Sequence, residues 1–242
     1  MFAISPDGSR TIALPGICTQ NWSQMFDSIT VIGAGRAGSA IAARLRERGV
    51  AVREGGDLCL LCVPDRAIGE VARSIEPGPW VAHVSGGTRL AALDPHTARF
   101  SVHPLQTLTT ARGPEQLDGA WAAVSAESEG GQARALWLAE TLGLRPFVLA
   151  DDNRALYHAG AVIASNFLVT LYRTAARLLE DAGAPPEALV PLMKRTIENG
   201  FDLTGPIARG DWGTVELHLD AIRSEAPELE HVYRTLAEAT RP

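Results

Sequence analysis

Between residues 28 and 150, short apolar runs alternate with amphipathic stretches of helical period, and beyond residue 150 the strand-like runs stop. The runs predict strands at 29–33, 58–63, 80–84, 99–103, 120–125 and 146–149. The intervening stretches predict helices at 36–48, 65–75 and 130–142, with Asp65 as an N-cap and Gly143 just past the last helix. Such alternation marks a mostly parallel sheet covered by helices, an α/β domain over residues 28–150. Asp151, Asp152 and Asn153 then cap a long helix over 153–182, and further helices follow at 185–199, at 212–223 behind Asp211 and at 227–240. Residues 151–242 thus read as an all-α domain. Its long helix is apolar on most sides through AGAVIASNFLVTL, so neighbours or another subunit must bury it, and a homodimer built on this domain is expected.

Composition narrows the class. With 46% hydrophobic and 21% charged residues over 242 positions, the chain is an ordinary globular protein. A net charge of -6 without clustered Lys and Arg argues against a nucleic-acid surface. No membrane-length apolar run is read, and residues 1–27 lack a basic-then-apolar leader pattern. They are expected to form an irregular extension, with Met25 as an alternative start. Cys59 and Cys62 are spaced C-x-x-C, but on a buried strand residues three apart face opposite ways, so neither a metal site nor a bridge is expected. With Cys18 also unpaired in this reading, a reducing cytoplasm follows.

The chemistry begins at ITVIGAGRAG, where a strand turns through Gly33, Gly35 and Gly38 into a helix. In a dinucleotide-binding fold the three glycines permit a tight turn, close approach of a pyrophosphate and close helix packing. Gly33, Ala34, Gly35, Arg36, Ala37 and Gly38 are therefore cofactor candidates. Later strand ends add Val63, Pro64 and Asp65, then Ser85 and Gly86, whose turn suits either the nicotinamide side or a carboxylate. His103 closes another strand and suits proton donation. In the long helix, His158 and Ser165 are seven residues apart and share a face, with Asn166 on its flank. Asn166 carries an amide that an apolar run cannot leave dry. Thr204, Arg209 and Asp211 join a turn, a cation and a helix cap; Arg209 suits an anionic substrate, or an ion pair with Asp211. One stretch departs from the usual pattern. Between Gly49 and Asp57 there is no room for a full second strand and its crossover helix, leaving either an antiparallel hairpin or a largely missing unit, and Arg53 and Glu54 as the ribose contacts.

Taken together, GAGRAG, LCVPD, VSGG, SVHPLQTL, ALYHAGAVIASNFLVTL and TGPIARGD resemble a known family over residues 28–240. It comprises NAD(P)-dependent oxidoreductases that join a Rossmann-like domain to a helical C-terminal domain of unknown function. They are relatives of ketopantoate reductase, pyrroline-5-carboxylate reductase and the 6-phosphogluconate dehydrogenase-like group. The resemblance implies NADP, or else NAD, as cofactor, no metal, and a helical domain that dimerises and closes a cleft over the nicotinamide. It also implies a small oxo acid or imino acid as substrate, ketopantoate first. It places His103, His158, Asn166, Thr204, Arg209 and Asp211 at the site, with Asn166 or His103 donating to the oxyanion and Arg209 holding a carboxylate. The chain lacks a lysine at the matching position of the long helix, where ketopantoate reductases carry their catalytic acid. The rival expectation is a non-catalytic nucleotide sensor or dimeric scaffold.

Overall fold

The computed structural model describes residues 3–4, 10–11 and 25–241; Cys18 and most of the N-terminal extension lie outside them. Within the extension β1 (Ala3–Ile4) and β2 (Arg10–Thr11) pair antiparallel, so it is not irregular throughout. The main sheet has seven strands: β3 (Ser28–Ile32), β4 (Ala51–Val52), β5 (Leu58–Leu61), β6 (Trp80–His83), β7 (Arg99–Pro104), β8 (Trp121–Ala126) and β9 (Arg145–Val148). Their spatial order is β4-β3-β5-β6-β7-β8-β9. All neighbours are parallel except β7 and β8, which are joined without an α-helix and run antiparallel.

Three helices cover this sheet: α1 (Arg36–Glu47), α2 (Asp65–Arg73) and α3 (Glu129–Thr141). Alternation along β5 feeds two cores, because successive side chains leave a strand on opposite faces. Leu58 and Leu60 pack with Ile29, Ile41, Leu45, Phe100 and Trp137, while Cys59 and Leu61 pack with Ile68, Val81, Leu90 and Leu93. Fully burying each such Leu or Ile contributes about 1.5–3 kcal/mol. Cys62 packs against the first core and Cys59 lies in the second; both thiols are free. Helix α2 is capped by Pro64, and Asp65, expected as its N-cap, is instead its first helical residue.

The shortened stretch resolves as the nearly missing unit, and the hairpin is excluded. Strand β4 is only two residues long and parallel to β3, with Ala51 opposite Ser28 and Val52 opposite Ile29. Strand β5 begins at the same level on the other side of β3, with Leu58 opposite Ile29. No return along the sheet is needed, so residues 53–57 step straight across β3. The step is hydrogen-bonded: Thr30 Oγ1 donates to the Arg53 carbonyl (2.9 Å) and accepts the Gly56 N–H (2.9 Å), and the Asp57 N–H reaches the Ser28 carbonyl (2.9 Å). A Cβ on Gly56 would sit 2.8–2.9 Å from Thr30 N, Ile29 C and Ser28 O, so only glycine lets the chain lie this close.

After β9 a 3-10 turn, Asp151–Asn153, leads into α4 (Arg154–Val162), a π-helical segment (Ile163–Phe167) and α5 (Leu168–Asp181). Then come α6 (Leu189–Glu198), α7 (Trp212–Glu225) and α8 (Glu230–Ala239). The compact units divide after Ala159, not at residue 150, because the first turns of α4 are bonded to the α/β unit. The helix Asp151–Asp181 is long and apolar enough to cross a membrane by length and composition, which corrects the expectation of no such run. Helix α5 has no buried residue within this chain.

Replacing Gly56 by Ala should cost about 2–3 kcal/mol, since the new methyl meets fixed backbone on three sides. Urea denaturation of the variant checks this, and an unchanged midpoint would contradict the close crossing.

Candidate functional site

The carboxyl ends of β3, β5, β6 and β7 lie on one edge of the sheet, where ligands of open α/β sheets bind. The chain leaves β3 first to one side and then to the other, so the switch point falls between β3 and β5. There Gly33 turns with φ +113°, and a Cβ on it would lie 2.5 Å from the Cys62 carbonyl oxygen. A Cβ on Gly38 would lie 1.9 Å from the Gly33 oxygen. Gly35, by contrast, has nothing within 4 Å of its Cβ position, and it caps α1 without any side-chain bond. Ala34, Gly35 and Arg36 are exposed and Ala37 half-buried. The first N–H groups of α1 therefore face open space, a cradle suited to a pyrophosphate. Val63, Pro64 and Asp65 follow β5 on the same edge. Arg53 and Glu54 do not reach it: they sit in the crossover level with Ile29 and Thr30, roughly 10 Å of strand short of Gly33.

Next to it stands a buried polar cluster. Register pairs His83 with Ser101, and alternation puts Ser101 and His103 on the same face. Arg154, the first residue of α4, is fully buried beneath this face. Its Nη1 donates to the carbonyls of Ser85 (2.7 Å) and Gly86 (3.2 Å), its Nη2 to Ser101 Oγ, and its Nε lies 3.1 Å from Asp151 Oδ1. Asp151 in turn accepts the Leu90 N–H. One turn on, Tyr157 and His158 come up against His103. Tyr157 OH lies 2.7 Å from His103 Nδ1, and the His103 and His158 rings meet edge to face at 5.9 Å. A Cβ on Gly86 would lie 2.8 Å from both imidazoles, so the glycine lets the two rings close on the turn.

Burial pushes the Tyr157 hydroxyl up to about 12, against the opposing field of Arg154, so it keeps its proton. Burial, with the charges of His158 and Arg154, brings His103 down to about 4. The neutral imidazole and the protonated Tyr157 hydroxyl share one hydrogen bond at Nδ1. His83, lowered to about 3 by burial, Arg154 and His103, takes the Ser85 N–H on Nδ1 (3.2 Å), and its Nε2 has no partner.

The structure thus gathers the glycine loop, Val63, Pro64, Ser85, Gly86, His103 and His158 around the α/β unit. The other candidates belong to the helical unit. Ser165 and Asn166 lie in the π-helical segment, whose wider winding breaks the 3.6-residue register, so the spacing to His158 no longer sets one face. Asn166 is exposed rather than buried; Ser165 donates to the Ala161 carbonyl (2.7 Å) and lies 2.9 Å from Asn166 Oδ1. Thr204 and Arg209 are exposed. The Arg209–Asp211 ion pair is not formed. Asp211 caps α7, accepting the Thr214 N–H (3.1 Å) and hydroxyl (2.7 Å), and those bonds hold its carboxyl below its ordinary value. Sequence reasoning missed Arg154, Tyr157, His83 and Ser101. The one local signal was an arginine opening an otherwise apolar helix, with Tyr157 beside His158.

His83 and His103 also make a pH prediction. Unfolded, each titrates near 6.5; folded, near 3 and 4, so between these values the unfolded chain binds more protons. Their stabilisation is complete above about pH 6.5 and is lost as pH falls through the folded values. The unfolding free energy should drop by up to about 1.4 kcal/mol per pH unit for each histidine. Urea titrations between about pH 7 and pH 5 should show this slope, and His83→Gln should flatten it.

Among solved structures the chain is similar to BF3122 of Bacteroides fragilis, provisionally named an NADP oxidoreductase (22% identity, 88% of this chain and 97% of that one, TM-score 0.75). It is also similar to TM1727 of Thermotoga maritima (23%, 88% and 96%, TM-score 0.71). A third is pyrroline carboxylate reductase of Plasmodium falciparum with NADP bound (11%, 89% and 98%, TM-score 0.56). At these identities the likeness is one of fold: a Rossmann-like sheet followed by helices. No curated protein matches the sequence. The family model described as "Domain of unknown function (DUF2520)" matches residues 120–240, half of the 242 residues, from β8 to the end of α8. The chain belongs to the DUF2520 family.

Proposed function

We propose that this protein is an NAD(P)H-dependent oxidoreductase that reduces a small oxo acid or imino acid. The observation that carries the reading is the cradle at the switch point: close-packed Gly33 and Gly38, open space over Gly35 and an uncapped helix start, on the edge that also holds His103. Residues 33–38 would hold the pyrophosphate through backbone N–H groups, with Val63, Pro64, Asp65, Ser85 and Gly86 along the nicotinamide side. Bound there, the reduced cofactor supplies a hydride to a carbonyl or imine carbon. The neutral His103 presents its Nε2 proton to the atom that gains charge, and Tyr157 fixes that tautomer. Arg209, with no carboxylate partner among the described residues, is the helical unit's cation for an anionic substrate, and Asn166 its second donor. NADP is the proposed cofactor, with NAD the alternative, in line with the names of the similar proteins. Names of similar proteins that include NADP and pyrroline carboxylate support the class. A ketopantoate-type acid is the first substrate to try, and the free Cys59 and Cys62 favour a reducing cytoplasm.

We also infer a homodimer. Neither hydrophobic core cluster contains a residue beyond Leu144, while Ile163, Phe167, Leu192, Ile197 and Phe201 are all more than half exposed. A helical unit this apolar needs a cover, and a second copy supplies the same kind of surface.

NADPH fluorescence titration tests the reading: saturable binding is expected, and Gly35→Leu should abolish it without unfolding the protein, as nothing crowds that Cβ. Binding absent at millimolar NADPH, or intact in the variant, overturns the placement. NADPH consumption with a panel of oxo and imino acids then finds the substrate. Light scattering should give a dimer, and Phe167→Glu with Leu192→Glu a monomer; a monomeric wild type overturns the dimer.

A further inference from the structure

We propose that the turn Ser85–Gly86–Gly87 is a receptor for a carboxylate, aimed from behind by the buried Arg154. The proposal rests on the oxidoreductase reading only for what brings the carboxylate, a small acid substrate. The turn and its support stand on geometry.

Arg154 Nη1 takes the carbonyl oxygens of Ser85 and Gly86 together. In a trans peptide the N–H points opposite to the C=O. The Gly86 and Gly87 N–H groups, which share those peptide units, therefore both leave the turn on the side away from Arg154. Neither finds an acceptor among the described residues, although Gly86 is buried. A buried donor without a partner is rare, and here one on buried Gly86 and one on half-buried Gly87 are aimed the same way, a pair of amides suited to an anion. His83, whose Nδ1 takes the Ser85 N–H, carries a third orphaned donor on its fully buried Nε2.

The turn has to be glycine: the His103 and His158 rings crowd the Cβ position of Gly86, and His158 that of Gly87 to 3.0 Å, so no larger side chain can occupy either place. The field favours an anion. Arg154 keeps its charge at any ordinary pH, and its neighbouring carboxylate, Asp151, is shared with the Leu90 N–H. Asp65, whose field also reaches Arg154 and His103, is exposed and so more strongly screened. Arg154 is paired with Asp151, so what the turn itself offers an anion is its two amide dipoles, held in place by the guanidinium. Two amides side by side match the two oxygens of a carboxylate. Arg154 is a positioning residue here: it touches the turn, not the ligand.

The test is amide NMR of the 15N-labelled full chain, titrated with oxamate, with inorganic phosphate, and with NADPH alone. Oxamate should move the Gly86 and Gly87 amides downfield and saturably, with or without NADPH, and phosphate should act more weakly. Unmoved amides, a response to phosphate only, or movement by NADPH that blocks oxamate would each overturn the proposal; in the last case the cofactor owns the turn. If NADPH fails to bind while oxamate still shifts both amides, the oxidoreductase reading falls and the receptor stands. Arg154→Met should weaken oxamate about tenfold, with Arg154→Lys recovering part of the loss. A folded Arg154→Met with unchanged affinity would refute the role of Arg154, and should that variant not fold, the wild-type titration decides.

Discussion

A single guanidinium ties the sheet to the first turn of the long helix. Arg154 is wholly buried, yet it meets the Ser85 and Gly86 carbonyls, Ser101 and Asp151 at once. Burying a charge is expensive, and one left unpaired costs about 3–5 kcal/mol. The surrounding groups must therefore converge on it, and that convergence shapes the region. It seats the start of α4, brings Tyr157 and His158 to His103, and orients the peptide planes of the glycine turn. Burial, with this charge added to it, disfavours protonation of His83 and His103, so both imidazoles stay neutral over the physiological range.

A second constraint acts at the opposite end of β3. A strand of two residues and a step of five replace what is normally a strand, a helix and a return. The step works because β4 stops level with the first residues of β3, so the chain needs only to cross and not to climb. Thr30, a polar residue in a buried strand, supplies the bonds that the crossing backbone would otherwise lack. The carboxyl edge is left intact, and the open glycine turn with it, while the unit that normally follows the first helix of such a sheet is stripped.

The helical unit follows a different logic. Its helices have clear amphipathic boundaries and a firm cap at Asp211, but few of its side chains are buried within one chain. The π-helical segment sits in the middle of its longest helix and carries Ser165 and Asn166. There the Ser165 hydroxyl bonds the Ala161 carbonyl.

Periodicity alone determined nearly every strand and helix, because amphipathic spacing and glycine or proline punctuation are local properties. The opposite-facing cysteines and the glycine cradle were legible for the same reason, since each depends on residues within one turn or strand. Asp65 was misread by one position, because the helix opens at Asp65 itself behind Pro64, with no side-chain cap bond. Asn166 was misread through its apolar neighbours, which are themselves uncovered in a single chain. What only the tertiary structure decided was which distant residues meet. Arg154 lies 69 residues from Ser85 and 53 from Ser101, and Tyr157 lies 54 from His103. No spacing rule spans such gaps. They close because a sheet brings strand ends to one edge and a buried charge collects its partners from whichever elements the fold places there.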